Sequence, residues 1–388
     1  MSVNVIQFSD SFPPIMDGVG NVTKNYAYWI KNKYGRSYVV TPEFPGYVDE
    51  EIFPVLRYPS FPLVLRKPYR VGLSVHNPAL WKKLRTLHVD LVHAQSPFSS
   101  GNIALQYARQ RKVPLVATFH SKFYDDFKEV TRSDAISWIM THLVVDFFNY
   151  ADAVWAVNQS TKETLLSYGY RGPVEVIPNG ADFSIPENLD ALCAEINLQF
   201  KLKQGEPVLL FVGQMIRQKN IETTLRALKI LHERKIPFTM LLAGEGKSRE
   251  YFQDLVHEFG LHSRVQFLGK ILDRELLKGL FGRADLFVFP SLYDNAPVVT
   301  REAAAMATPS VIVRGSNAAE GIRDGENGFL CENSPESLAG VIQKALEHPE
   351  KLRQIGEEAR HSVFLSWESV MDDMVIPRYL EIIKEHRG

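Results

Sequence analysis

The chain has only two cysteines in 388 residues, Cys193 and Cys331. That excludes a disulfide framework and suits a reducing compartment, with both thiols packed rather than reactive. An excess of one charge sign is missing too. Forty-four Lys and Arg stand against 45 Asp and Glu, a formal net charge of −1, so no overall polyanionic or polycationic partner is indicated. No apolar run approaches the ~18 residues of a membrane-spanning helix. The opening MSVNVIQFSDSF has neither a basic leader nor the apolar core of a secretory signal, and a cytoplasmic protein is expected. His/Cys clusters with metal-ligand spacing are also lacking, so neither a metal site nor a cofactor is expected.

What is present is globular: 45% hydrophobic and 23% charged residues. The length exceeds what one core usually serves, so two domains are expected. Short β-branched or aromatic runs alternate with helix-length amphipathic segments. The first half contains VNVIQF, SYVVTP, LVHAQ, PLVATFH, AVWAVN and VEVIPNG. A polar stretch with two prolines, residues 181–207, reads as a linker with a short helix. The pattern then restarts with PVLLFVG, TMLLAGEG, RVQFLGK, LFVFPS, PSVIVRG and GFLCE. In NIETTLRALKILHER, Ile221, Leu225, Leu228 and Leu231 fall at helical spacing. The expected fold class is α/β: two Rossmann-like, doubly wound parallel-sheet domains facing across a cleft, residues 1–190 and 191–370. Ligands of such sheets sit beyond the carboxyl ends of the strands.

Five loops in that position carry candidate chemistry. In SDSFPPIMDGVGNVTKN, Gly18 and Gly20 precede a helix expected from about Asn21, where backbone amides can approach a phosphate. Thr23 stands where a dinucleotide fingerprint needs its third glycine, which disfavours a nicotinamide site. In PLVATFHSKF, His120 follows a strand, with Ser121 and Lys122 beside it; His93, one strand earlier, reads as packed behind it. In LLFVGQMIRQKN, Gly213 ends a strand while Arg217 and Lys219 suit the two charges of a diphosphate. Gly244 and Gly246 in LLAGEGKSREYF leave backbone room for a base or phosphate. Finally, SLYDNAPVVTREAAAMATP places Asp294 and Glu302 on either side of Asn295, Ala296, Pro297, Val298 and Val299. Thr300 reads as the N-cap of the helix that follows. The helix dipole alone would favour a carboxylate at Glu302; a carboxylate there can also accept two hydrogen bonds from a ribose diol.

In this order and spacing, FPPIMDGVGNVTKN, VATFHS, VIPNGAD, FVGQMIRQKN, LLAGEG, FVFPSLYDNAPVVTREAAAMATPSVIV and AAEGIRDGENGFL resemble the family 4 retaining glycosyltransferases of the two-Rossmann-domain GT-B architecture. The resemblance covers nearly the whole chain. It implies that Glu302 holds the ribose of a nucleotide-sugar donor and that Asp294 contacts hydroxyls of the transferred sugar. Asp294 stands where the family has Glu, one methylene longer. The resemblance puts Lys219 on the diphosphate, Gly18 near the phosphate and His120 near the reacting sugar. Gln214 stands where the family has an arginine, and Arg217 is the expected substitute. The segment 371–388 is expected to return to the first domain. A metal-free front-face displacement is implied, with catalysis resting on orientation and on charges around the leaving diphosphate.

The acceptor is the least constrained element. Residues 52–89 contain no acid but hold Arg57, Arg66, Lys67, Arg70, Lys82, Lys83 and Arg85, interleaved with Phe61, Leu63, Leu65, Tyr69 and Trp81. A surface docking on anionic lipid is one reading and a solvated basic face is the other. RYPSFPLVLRKPYR and HAQSPFSSG resemble members that glucosylate diacylglycerol, so UDP-glucose and a lipid hydroxyl are the expected pair. A soluble sugar, sugar-phosphate or polysaccharide acceptor stays open, as does a weakly active nucleotide-sugar-binding subunit. No nucleic-acid module is present.

Overall fold

The computed structural model describes residues 2–15, 17–63, 67–73 and 77–388. It divides into two compact units: Met1–Asn179 with Trp367–Gly388, and Gly180–Ser366. The division runs at 179/180 and 366/367, against the 190/191 and 370/371 read from the sequence.

The first unit contains β1 (Val5–Phe8), β2 (Ser37–Pro42), β3 (Val55–Tyr58), β4 (Ser60–Pro62), β5 (Arg70–Gly72), β6 (Leu91–Ala94), β7 (Leu115–Phe119), β8 (Ala153–Ala156) and β9 (Glu175–Val176). Seven of these form a parallel sheet in the order β3-β2-β1-β6-β7-β8-β9. β1, β6, β7 and β8 are buried at every residue, as expected for strands covered on both faces by crossover helices. The strand order reverses between β1 and β6. β4 and β5 form a separate antiparallel pair. Neither β3 nor this pair was legible in the acid-free window.

The terminal segment belongs to this unit. Trp155 and Tyr379 stack with centroids 5.3 Å apart. The Tyr379 hydroxyl meets His93 Nδ1 at 2.5 Å, and Arg378 grips both carboxylate oxygens of Glu175. Lys33 bridges Glu368 at 2.9 Å and Asp372 at 2.6 Å.

The second unit contains β10 (Val208–Val212), β11 (Thr239–Ala243), β12 (Val265–Gly269), β13 (Leu286–Phe289), β14 (Ser310–Val313) and β15 (Phe329–Cys331). Their order is β12-β11-β10-β13-β14-β15, all parallel. The reversal lies between β10 and β13, and a doubly wound sheet opens its binding crevice at that point. The helix Ile221–Glu233 buries Ile221, Leu225, Leu228 and Leu231, the stripe expected from spacing.

Two expected helix starts move. The first helix runs Gly18–Trp29, not from Asn21, because the Asp17 carboxylate caps it by accepting from Gly20 N at 2.7 Å. The helix after β13 runs Val298–Ala305, with Pro297 rather than Thr300 at the N-cap position. Proline presets the backbone there, and Thr300 lies inside the helix, donating its hydroxyl to the Pro297 carbonyl at 2.8 Å.

Candidate active site

In the second unit the chain beyond β10 and the chain beyond β13 meet at the order reversal. Lys219 Nζ stands 2.5 Å from Asp294 Oδ1, over the Phe289 ring at 5.6 Å. Phe289 ends β13 and stacks with Phe211 of β10, which gives the ammonium an aromatic floor. Asn220 holds the register of this corner. It adopts a left-handed backbone, φ 59°, and its amide donates to the Pro290 carbonyl at 3.1 Å and to Asn333 at 2.9 Å. Sequence reasoning passed over Asn220, although Asn is the usual non-glycine residue in that conformation.

Asp294 opens the turn Asp294–Pro297. Asn317 Nδ2 donates to Asn295 Oδ1 at 2.9 Å, tying the turn to the segment after β14. Ala296 and Pro297 complete it, and Val298 begins a helix whose cap residue offers no side-chain hydrogen bond. The first-turn amides of such a helix suit an anion. The contrast with the first unit is direct: at Gly18 the equivalent position is already served by the Asp17 carboxylate, which also accepts from the Tyr69 hydroxyl at 2.9 Å. Gly18 itself has open space where a Cβ would stand.

Glu302, one turn further, is 5% exposed. Arg274 donates to it at 2.9 Å and to the Asp182 carbonyl at 3.3 Å. Burial raises the Glu302 pKa, and Arg274 only partly offsets this. Arg274 also stacks over Phe183 at 4.5 Å. No motif in the sequence pointed to Arg274, because its partners lie 28 and 92 residues away. Arg301 was missed as well. It is half-buried, burial pulls its pKa down to about 10, and the opposing charge that acts on it is Glu320.

Arg217, close to Lys219 in the chain, has an aromatic partner of its own. Its guanidinium lies over the Tyr251 ring at 4.1 Å, and the Tyr251 hydroxyl donates to Glu222 at 2.7 Å. Gly213 donates its amide to the Ala243 carbonyl at 3.0 Å. Gly244, φ 143°, is needed for packing: a Cβ there would stand 1.8 Å from the Gly213 carbonyl oxygen. These two glycines bring the loops after β10 and β11 together.

In the first unit, His120 Nε2 meets Gln95 Oε1 at 2.8 Å. Gln95 in turn donates to Gln7 at 2.9 Å and faces His93 Nδ1 at 3.2 Å. Burial pushes His120 down to about 3, and His93, also buried, goes well below its ordinary value. Both rings are neutral near pH 7. Asp10, at the end of β1, was not singled out in the sequence. Its carboxylate accepts from the Ser99 hydroxyl, from Ser100 N at 3.1 Å and from the Ser100 hydroxyl at 2.7 Å. Burial raises its pKa against those hydrogen bonds. Asp10 thereby fastens β1 to the helix Ser99–Arg111 across the order reversal.

The acid-free window divides. Arg57 is consumed internally, paired with Asp49 at 2.7 Å and donating to the Pro42 and Pro13 carbonyls. Arg70 donates to Ser60 Oγ at 2.7 Å, and Trp81 is buried. Lys67, Lys82, Lys83 and Arg85 are exposed, as are Phe61, Leu63 and Leu73. Leu65 and Arg66 lie outside the described residues. No helix among the described residues is long and apolar enough to cross a membrane.

Two family models match in succession: Glycosyltransferase Family 4 over residues 16–184 and Glycosyl transferases group 1 over residues 194–362. Among curated proteins the chain is 24% identical over 364 residues to alpha-monoglucosyldiacylglycerol synthase of Streptococcus pneumoniae, covering 90% of this chain and 82% of that one. It is 25% identical over 294 residues to glycogen synthase of Mycobacterium tuberculosis, covering 74% and 67%. Among solved structures, Anabaena Alr3699/HepE in complex with UDP-glucose superposes with a TM-score of 0.77 at 20% identity, covering 98% of this chain and 99% of that one. With family models matched in both halves and the GT-B fold throughout, the chain belongs to the family 4, group 1 glycosyltransferases.

Proposed function

We propose that this glycosyltransferase moves glucose from UDP-glucose onto a hydroxyl of a diacylglycerol or glycolipid at an anionic membrane surface, with retention at the anomeric carbon. The observation that carries the donor half is the meeting of Lys219 and Asp294 at the β10/β13 reversal, beside a helix start without a side-chain cap. In this reading the first-turn amides of the Val298–Ala305 helix and Lys219 take the diphosphate. Glu302, with Arg274 beside it, takes the ribose diol, and Asp294 accepts from the sugar. The bond from the anomeric carbon to the diphosphate oxygen breaks as the acceptor oxygen bonds on the same face. The acceptor's proton passes to the departing diphosphate. Fixed cations and amides aimed at that leaving group supply the stabilisation, and no step is assigned to a metal. A neutral His120, its pKa near 3, orients a hydroxyl rather than moving a proton.

The lipid half rests on the similarity to the pneumococcal synthase, on the exposed cations Lys67, Lys82, Lys83 and Arg85, and on the exposed Phe61 and Leu63 of the same acid-free window. A polysaccharide acceptor is the second reading, favoured by the similarity to the mycobacterial glycogen synthase. Purified protein with UDP-[14C]glucose and anionic vesicles containing diacylglycerol tests both. Label extracting with lipid, undiminished by EDTA, supports the first. Label in a water-soluble glucan, formed only when glycogen is supplied, supports the second. Absence of UDP release from any UDP-hexose with either acceptor rejects both.

A further inference from the structure

Lys219 and Asp294 use only half of each other. The carboxylate spends Oδ1 on the ammonium, while Oδ2 is buried and has no hydrogen-bond partner among the described residues. Only 12% of the lysine side chain and 17% of the aspartate side chain meet solvent, so water compensates the spare oxygen poorly. The Asn317–Asn295 bond anchors the turn that carries Asp294, and Asn220 anchors the end of the segment that carries Lys219.

We infer that Asp294 is a discriminator, admitting the intact nucleotide sugar to Lys219 and repelling the spent nucleoside diphosphate. This rests on the donor site proposed above and adds a selectivity to it. An incoming pyrophosphate must share Lys219 with a fixed anion 2.5 Å away. In free UDP the terminal phosphate is a monoester with an additional ionisable oxygen, and it would face the Asp294 carboxylate as a like charge in a poorly hydrated corner. In the sugar ester that ionisable oxygen is replaced by the glycosidic link, and the sugar brings hydroxyls able to donate to Oδ2. The same carboxylate is therefore unfavourable for the product and favourable for the donor. Specificity arises from a repulsive element as much as from an attractive one. After transfer the departing diphosphate carries the acceptor's proton; once that proton is lost to solvent, the terminal phosphate gains the charge that Asp294 repels, and UDP departs faster.

Calorimetric titration of UDP and UDP-glucose into wild type, Asp294→Asn and Asp294→Glu tests this. The wild type is expected to bind UDP-glucose more tightly than UDP. Asp294→Asn is expected to tighten UDP relative to UDP-glucose by about tenfold, the scale of one like-charge contact, whereas Asp294→Glu keeps the wild-type order. A wild type that prefers UDP overturns the inference without need of a variant, as does an Asp294→Asn ratio equal to that of wild type. A wild type that binds neither ligand overturns the donor reading and this inference together.

Discussion

Arg274 and Glu302 form a 2.9 Å ion pair in which the carboxylate is nearly sealed from solvent and the guanidinium is half exposed. In the proposed donor site, a ribose diol arriving at Glu302 would share the carboxylate with Arg274. Glu302→Gln is expected to weaken UDP-glucose by about 1.5–3 kcal/mol, the range for a hydrogen bond to a charged group. The loss should vanish for the 2′,3′-dideoxy nucleotide. Arg274→Ala removes the cation that holds the Glu302 pKa down against burial. Donor affinity in that variant is expected to fall off at a higher pH on acidification than in wild type, read by titration across the acidic range.

The cations of the second unit separate by where they sit. Lys219→Ala is expected to lower kcat/KM roughly 100-fold or more, the usual loss for a preorganised donor to a leaving group. Arg217, committed to Tyr251, is expected to leave donor affinity within about threefold when changed to Ala, well under the ~1.4 kcal/mol of a tenfold effect. A loss matching that of Lys219→Ala would return Arg217 to the diphosphate.

Arg301 makes a separate case. Burial outweighs the attraction of Glu320 and lowers its pKa, so the charge is a net cost to the folded state. Arg301→Met is expected to raise the melting temperature of the ligand-free protein. An unchanged or lower value would contradict that balance.

His93 and His120 set an acid limit. Both are held below the ordinary histidine pKa by burial. The unfolded chain therefore binds protons that the folded one refuses as pH falls below about 6.5, and for His120 this continues down to about 3. Stability from this source is complete above the unfolded pKa and is lost at up to ~1.4 kcal/mol per pH unit for each ring. His120→Gln, which keeps a partner for Gln95, is expected to flatten the stability–pH slope between pH 6 and about 4 in urea titrations.

Local chemistry was legible and distant partnership was not. Every strand that bears the site showed itself as a short, mostly apolar run, from VNVIQF to LFVFPS, because a strand buried on both faces is largely apolar, with Gln7 and His93 as buried polar exceptions. Lys219, Asp294 and Glu302 could be picked out because each follows a strand end. The partners could not. Nothing near Glu302 in the chain announces Arg274, and nothing in the acid-free window says that Arg57 is spent on Asp49 or that Trp81 faces inward. The start of the Val298–Ala305 helix was misplaced because a threonine is the commoner cap, whereas here Pro297 sets the backbone and Thr300 bonds back to it.

The most direct test is a single-turnover transfer assay with enzyme in excess over UDP-[14C]glucose and diacylglycerol vesicles present. Labelled glucolipid is expected to form in step with UDP release in wild type and to be strongly reduced in both Lys219→Ala and Glu302→Gln. Transfer at the wild-type rate in either variant would contradict the proposed donor site.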